Sequence, residues 1–196
     1  SKKVGEAMLE NHQIELLKTL SNLVGVSGHE EQILQFVSEQ LPFCTKEQDK
    51  LGSGLFSLGE GDLSIMFATH MDEVGFVVSS INERGYVSIQ PVGNMWAHTL
   101  LQQLVTITTS DGRQWTGIIG GPQTHAISPE ARKKVVAMEN LFVDLGVENR
   151  ESVQEMGIEV GDVVSLVSTC QTIGLNQEYM IGKALDNRVS VSLGIW

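Results

Sequence analysis

Ser64-Ile65-Met66-Phe67-Ala68-Thr69-His70-Met71-Asp72-Glu73-Val74-Gly75-Phe76-Val77-Val78 joins two apolar runs through a short polar segment, His70-x-Asp72-Glu73. The run at 65–68 has the length of an interior strand, and polar groups that appear where such a strand ends fall on the rim of a sheet, where ligands bind. Residues two apart on a strand project from the same face. His70 can therefore offer one ring nitrogen to a metal while Asp72 fixes the orientation or tautomer of the ring. A hydrogen-bonded histidine near a strand end, with Asp72-Glu73 opening a turn, fits the same residues, and a motif this short does not decide between the two.

Upstream, Ile14, Leu16, Leu17, Leu20, Leu23 and Val24 recur at helical spacing and predict an amphipathic helix. Gly25-Val26-Ser27-Gly28 breaks it. Ser27 followed by Glu30 has the form of a capping box for a second helix through Ile33, Leu34, Phe36, Val37 and Leu41, ended by Pro42. Turn signals at 49–54 and 59–62 then frame a strand at 55–58 before the apolar run. Helix, helix, strand, turn, strand suits an α/β layer architecture.

Downstream of Gly75 the pattern changes. Short β-rich runs at 76–81, 86–91, 104–109 and 114–119 are separated by Asn82-Glu83-Arg84-Gly85 and Ser110-Asp111-Gly112, which have the composition of hairpin turns. A further strand at 141–146, a short helix at 150–156 ended by Gly157, and a strand at 163–167 complete what reads as a small β-barrel or sandwich inserted into the α/β part. The last motif, Gly182-Lys183-Ala184-Leu185-Asp186-Asn187-Arg188, precedes an apolar helix from Val189, which Asp186 could simply cap.

The chain has 196 residues, 41% hydrophobic and 19% charged, with a formal net charge of -11. That charge disfavours partnership with nucleic acid or an anionic membrane, since phosphate would be repelled. Cys44 and Cys170 have no C-x-x-C spacing, so neither a disulfide framework nor a zinc ribbon is indicated. The first ten residues lack the form of a signal peptide and no window reaches the roughly 18 apolar residues of a spanning helix. The expectation is a soluble, cytoplasmic protein.

Taken together, Gly-Val-Ser-Gly-His-Glu at 25–30, Asp-Lys-Leu-Gly at 49–52, Ala-Thr-His-Met-Asp-Glu-Val-Gly at 68–75, Phe-Val-Asp-Leu-Gly at 142–146, Gly-Ile-Glu-Val-Gly-Asp at 157–162 and Gly-Lys-Ala-Leu-Asp-Asn-Arg at 182–188 resemble one family. It is the tetrahedral-type glutamyl and deblocking aminopeptidases, also labelled cellulase M-like, which are dinuclear metallopeptidases. The resemblance implies a zinc-peptidase-like α/β catalytic domain, incomplete here, with an inserted all-β, barrel-like apical domain of the dimerisation type. The corresponding boundaries are 1–74 for the first part of the catalytic domain, 75–175 for the insertion and 176–196 for the return. Carried over, His70 is a terminal ligand of one metal, Asp72, counted with the catalytic residues, is the carboxylate that orients it, and Asp186 bridges two divalent ions, Zn²⁺ or Co²⁺. A cis peptide bond between Asp186 and Asn187 is implied as well, as are peptide substrates and a homo-oligomer, from dimer to dodecamer.

In that family the general base, a second-metal Glu, a further Asp ligand and a final His ligand follow the Asp-Asn-Arg segment, whereas this chain stops at Trp196. His125, in Gly121-Pro-Gln-Thr-His125, matches an apical-domain position, and His98 and His12 lie in unrelated contexts. The expectation is therefore a chain truncated relative to a longer enzyme, weak in metal binding and inactive alone. Two other readings stand beside the metallopeptidase: a catalytically silent assembly module, and a glycoside hydrolase. The second ordinarily needs two carboxylates flanking a sugar and no histidine metal ligand, so His-x-Asp counts against it.

Overall fold

A computed structural model describes residues 10–122, 128–130 and 133–196. His125 lies outside the described residues. The described residues divide into two compact units that alternate along the sequence: those within 10–25, 30–72 and 168–196 form one, and those within 26–29 and 73–167 the other.

The first unit begins with α1 (Asn11–Asn22), whose first turn is tied by the Glu10 N–H donating to Gln13 Oε1 at 2.9 Å. Next is α2 (Glu31–Gln40), which starts after Glu30 rather than at Ser27. The expected capping box is therefore misplaced: a backbone turn from the Val26 carbonyl to the His29 N–H uses the residues around Ser27 before the helix can begin. Strands β1 (Thr45–Gln48) and β2 (Gly54–Ser57) form an antiparallel hairpin. Leu20, Ile33, Val37 and Val191 make the core of this unit, with Leu16, Phe36, Phe56, Met71 and Ile195 packed against them. The last of these come from α4 (Leu185–Ile195), which packs on α1.

The apolar run at 65–68 does not form the expected strand. It pairs with no strand among the described residues, and Ile65, Met66 and Phe67 are exposed by 89%, 80% and 61%. A strand needs a hydrogen-bonding neighbour as well as apolar side chains, and composition reports only the second.

The second unit is a closed six-stranded antiparallel barrel. It comprises β3 (Gly75–Ile81), β4 (Val87–Val92), β5 (Leu104–Thr108), β6 (Gln114–Gly120), β7 (Phe142–Asp144) and β8 (Val163–Leu166), in the order β3-β4-β7-β6-β5-β8. Alternation fills it: Phe76 and Val78 of β3, Val87 and Ile89 of β4, and Val105 and Ile107 of β5 all point into one core. The turns are built as their residues predict. Asn82 Oδ1 accepts from the Arg84 and Tyr86 N–H groups at 2.9 and 3.0 Å, while Gly85 takes the positive φ of 78° that closes the hairpin. Helix α3 (Arg150–Glu155), capped by Asn149 accepting from the Ser152 N–H, adds Val153 to the core, and Trp115 Nε1 donates to the Met156 carbonyl at 2.9 Å.

This unit closes at Val167, and β9 (Gln171–Ile173) with β10 (Tyr179–Ile181) forms a separate antiparallel hairpin in the first unit. No helix among the described residues is long and apolar enough to cross a membrane.

Candidate functional site

His70 and Asp72 sit on an extended segment of the first unit that belongs to no strand. The intervening Met71 packs against the core of that unit, whereas His70 is exposed. Asp186 arrives from the start of α4, where Asp186 and Asn187 depart from helical geometry and the peptide bond between them is cis. Asn187, not Asp186, makes the capping contact, its Oδ1 accepting from the Ser190 N–H at 3.3 Å. The Asp186 carboxylate is thereby left for another partner.

That partner is His70. Its Nδ1 lies 2.9 Å from Asp72 Oδ1 and its Nε2 lies 3.1 Å from Asp186 Oδ1, which joins segments 116 residues apart. Carboxylates only accept, so both contacts are hydrogen bonds when both ring nitrogens carry protons. The hydrogen bond to Asp72 is the main influence holding the His70 pKa above its ordinary value; partial burial opposes the rise and Asp186 adds to it. The side chains of His70, Asp72 and Asp186 are 54%, 35% and 94% exposed, so this is an open cluster that a ligand can enter from solvent.

The geometry can be tested against a metal. Two donors held about 2.0–2.2 Å from one ion at angles between about 90° and 110° stand roughly 3–3.5 Å apart. The 3.1 Å separation of His70 Nε2 and Asp186 Oδ1 meets that condition. Asp72 on Nδ1 is placed where a metal-ligating histidine needs its second carboxylate. Among the described residues, no group of three or more His, Cys, Asp or Glu is arranged to hold an ion, so this site presents two donors and an orienting carboxylate.

Two other histidines among the described residues have other neighbours. His12 lies 3.3 Å from Glu10 and His98 stacks on Trp96 with ring centroids 4.9 Å apart. The residue that sequence reasoning left without a role is Arg188. It is fully buried, and its Nε donates to the Met71 carbonyl at 2.6 Å, between the two members of the His-x-Asp pair. The signal was present: Arg188 shares one helical face with Val191, Ser192 and Ile195, which are the inward residues of α4.

Known proteins resemble the chain over most of its length. FrvX of Escherichia coli (strain K12), named as an aminopeptidase, is 32% identical over 182 residues, covering 92% of this chain and 51% of that protein. The glutamyl aminopeptidase of Lactococcus lactis subsp. cremoris is 30% identical over 179 residues, or 88% and 50% of the two chains. Among solved structures, the TET aminopeptidase of a marine sediment Thaumarchaeota archaeon superposes with a TM-score of 0.89 at 35% identity, covering 95% of this chain and 52% of that one. The chain thus spans about half the length of the curated relatives it matches. The profile of one family, described as M42 glutamyl aminopeptidase, matches residues 52–195, which include His70, Asp72 and Asp186. The chain belongs to that M42 glutamyl aminopeptidase family.

Proposed function

We propose that this chain carries part of the active site of a metal-dependent aminopeptidase that removes N-terminal residues from peptides. The observation that supports it best is the division of the His70 ring between Asp72 and Asp186, at distances of 2.9 and 3.1 Å. In this reading His70 Nε2 is a terminal ligand, Asp72 orients the ring, and Asp186, with its second oxygen open to solvent, bridges two divalent ions, Zn²⁺ or Co²⁺ by their match to imidazole and carboxylate. Such ions supply polarisation of the scissile carbonyl and acidification of water. The chain's own residues contribute orientation: Asp72 selects the tautomer that leaves Nε2 facing Asp186, and Met71 anchors the pair to the core.

The alternation of the two units along the sequence supports a catalytic α/β domain interrupted by an inserted barrel domain, the insertion ending near Val167 rather than at the expected 175. With two donors on the described residues, the chain by itself binds metal weakly and the complete enzyme supplies the rest. Assembly into a homo-oligomer is supported by the Pyrococcus horikoshii TET1 peptidase, 30% identical with a TM-score of 0.83, which can form a tetrahedron or a large octahedral shell. Two free cysteines, one half-buried and one buried, suit a reducing cytoplasm.

The test is a parallel assay of aminoacyl chromogenic and cellulose substrates on the full-length protein with Zn²⁺ or Co²⁺. Release of the aminoacyl chromophore that disappears in His70→Ala is the expected result. Cellulose cleavage, or a protein that binds metal stoichiometrically and cleaves neither, would refute it.

A further inference from the structure

Among the described residues, Arg188 has the largest of the fully buried side chains, at 0% exposure. A guanidinium taken out of water is costly unless its donors are engaged, and here Nε and Nη1 are engaged at two ends. Nη1 donates to the Leu20 carbonyl and, at 3.3 Å, to the Leu23 carbonyl, while Nε donates to the Met71 carbonyl at 2.6 Å. The Leu20 and Leu23 carbonyls close the last turn of α1, where helical carbonyls lack intrahelical partners and the helix dipole favours a cation. The same end is gripped again: Lys183 Nζ donates to the Leu23 carbonyl at 3.1 Å, and the Ser21 hydroxyl donates to the Lys183 carbonyl at 2.5 Å. The segment bearing Asp186 is therefore fastened on both sides to the end of α1. The Arg188 fork extends that fastening to the peptide between His70 and Asp72.

We propose that Arg188 is a positioning residue for metal uptake, holding His70-x-Asp72 and Asp186 in one register through the Met71 carbonyl and the C-terminal end of α1. This rests on the metal reading above. A rigid planar fork can serve Met71 and α1 together; a lysine ammonium at the same place keeps the charge but is a single point and serves one or the other.

The test is calorimetric titration of the full-length protein with Zn²⁺ or Co²⁺, comparing wild type, Arg188→Lys, Arg188→Met and His70→Ala, at temperatures where each is folded. The expected result is an affinity loss of about 10–100-fold in both Arg188 variants, the range found when groups supporting metal ligands are removed, with no rescue by lysine. Lower melting temperatures with wild-type affinity in the folded variants would mean a merely structural role and overturn the proposal. Should neither variant fold, the wild type decides alone. Coupling is reciprocal, so bound metal must slow exchange of the Arg188 Nε–H with water, and exchange unchanged by bound metal overturns the proposal too. Failure of wild type to take up metal would sink the metal reading itself, an outcome distinct from uptake that ignores Arg188.

Discussion

Gly75→Ala tests how closely β3 is seated in the barrel. Gly75 is buried at the first position of the strand, and an added Cβ would stand 2.4 Å from Val26 Cγ2 and 2.8 Å from the Val164 carbonyl oxygen. Val26 can rotate, but the oxygen cannot yield easily: Val164 is paired with Phe76 on one side and Ile107 on the other. Two effects compete. Alanine removes freedom from the unfolded chain and stabilises by about 0.4–1 kcal/mol. Forcing a methyl into a packed site costs about 1–3 kcal/mol. A contact below 3 Å with ladder backbone places this site in the upper part of that range, so overpacking wins and the net loss is about 1–2 kcal/mol. For a chain of this size that lowers the melting temperature by about 2–8 °C. Gly61→Ala is the control, since its Cβ would meet nothing within 4 Å. Thermal and urea melts followed by circular dichroism read both variants. A Gly75→Ala protein melting with or above wild type would refute the packing argument.

The remaining expectations concern the site and the core. Because His70 has its pKa raised, chiefly by Asp72, its contribution to metal-free stability is fully present below the ordinary histidine pKa and is lost as pH rises through the raised value. The effect is small, about 0.2–1 kcal/mol, because the pair is exposed. Metal uptake, which needs a deprotonated nitrogen, must grow over the same window and release protons. Urea melts across neutrality with and without Zn²⁺ check both slopes, and a metal-free stability that climbs with pH by an amount abolished in His70→Ala contradicts the sign. Asp72→Asn should weaken metal binding by about 10–100-fold while leaving the fold intact, as seen by titration and circular dichroism; unchanged affinity would remove Asp72 from its orienting role. Ile107→Ala, at a fully buried barrel position, should cost about 2–5 kcal/mol in urea unfolding, and a loss under 1 kcal/mol would mean a loosely filled barrel.

How much of this was legible in the sequence depended on where the physical signal resided. The barrel strands were readable because one face of each is buried and the period of two is written in the side chains, with Asn82-Glu83-Arg84-Gly85 and Ser110-Asp111-Gly112 marking their ends. Strand β1, Thr45-Lys46-Glu47-Gln48, is exposed at all four positions, so nothing in its pattern distinguishes it from a loop. The run at 65–68 erred the other way, offering strand composition without a ladder to join. At the site, the two-residue spacing of His70 and Asp72 already put them on one face. Nothing local tied Asp186 to them, and only the resemblance of the whole motif set did so. Arg188 was visible as a charge on the inner face of a helix, but its partners are backbone carbonyls, which leave no mark in a sequence.

The open run from Leu63 to Phe67 also bears on how the chain behaves among its own copies. Leu63, Ile65, Met66 and Phe67 are exposed by 61% or more, in a window from 63 to 69 without a charge or a proline. A segment of that kind is a template for strand addition from another molecule. Concentration therefore becomes a variable of the chain's state: dilute samples report on the fold, whereas crowded ones report on contacts between templates.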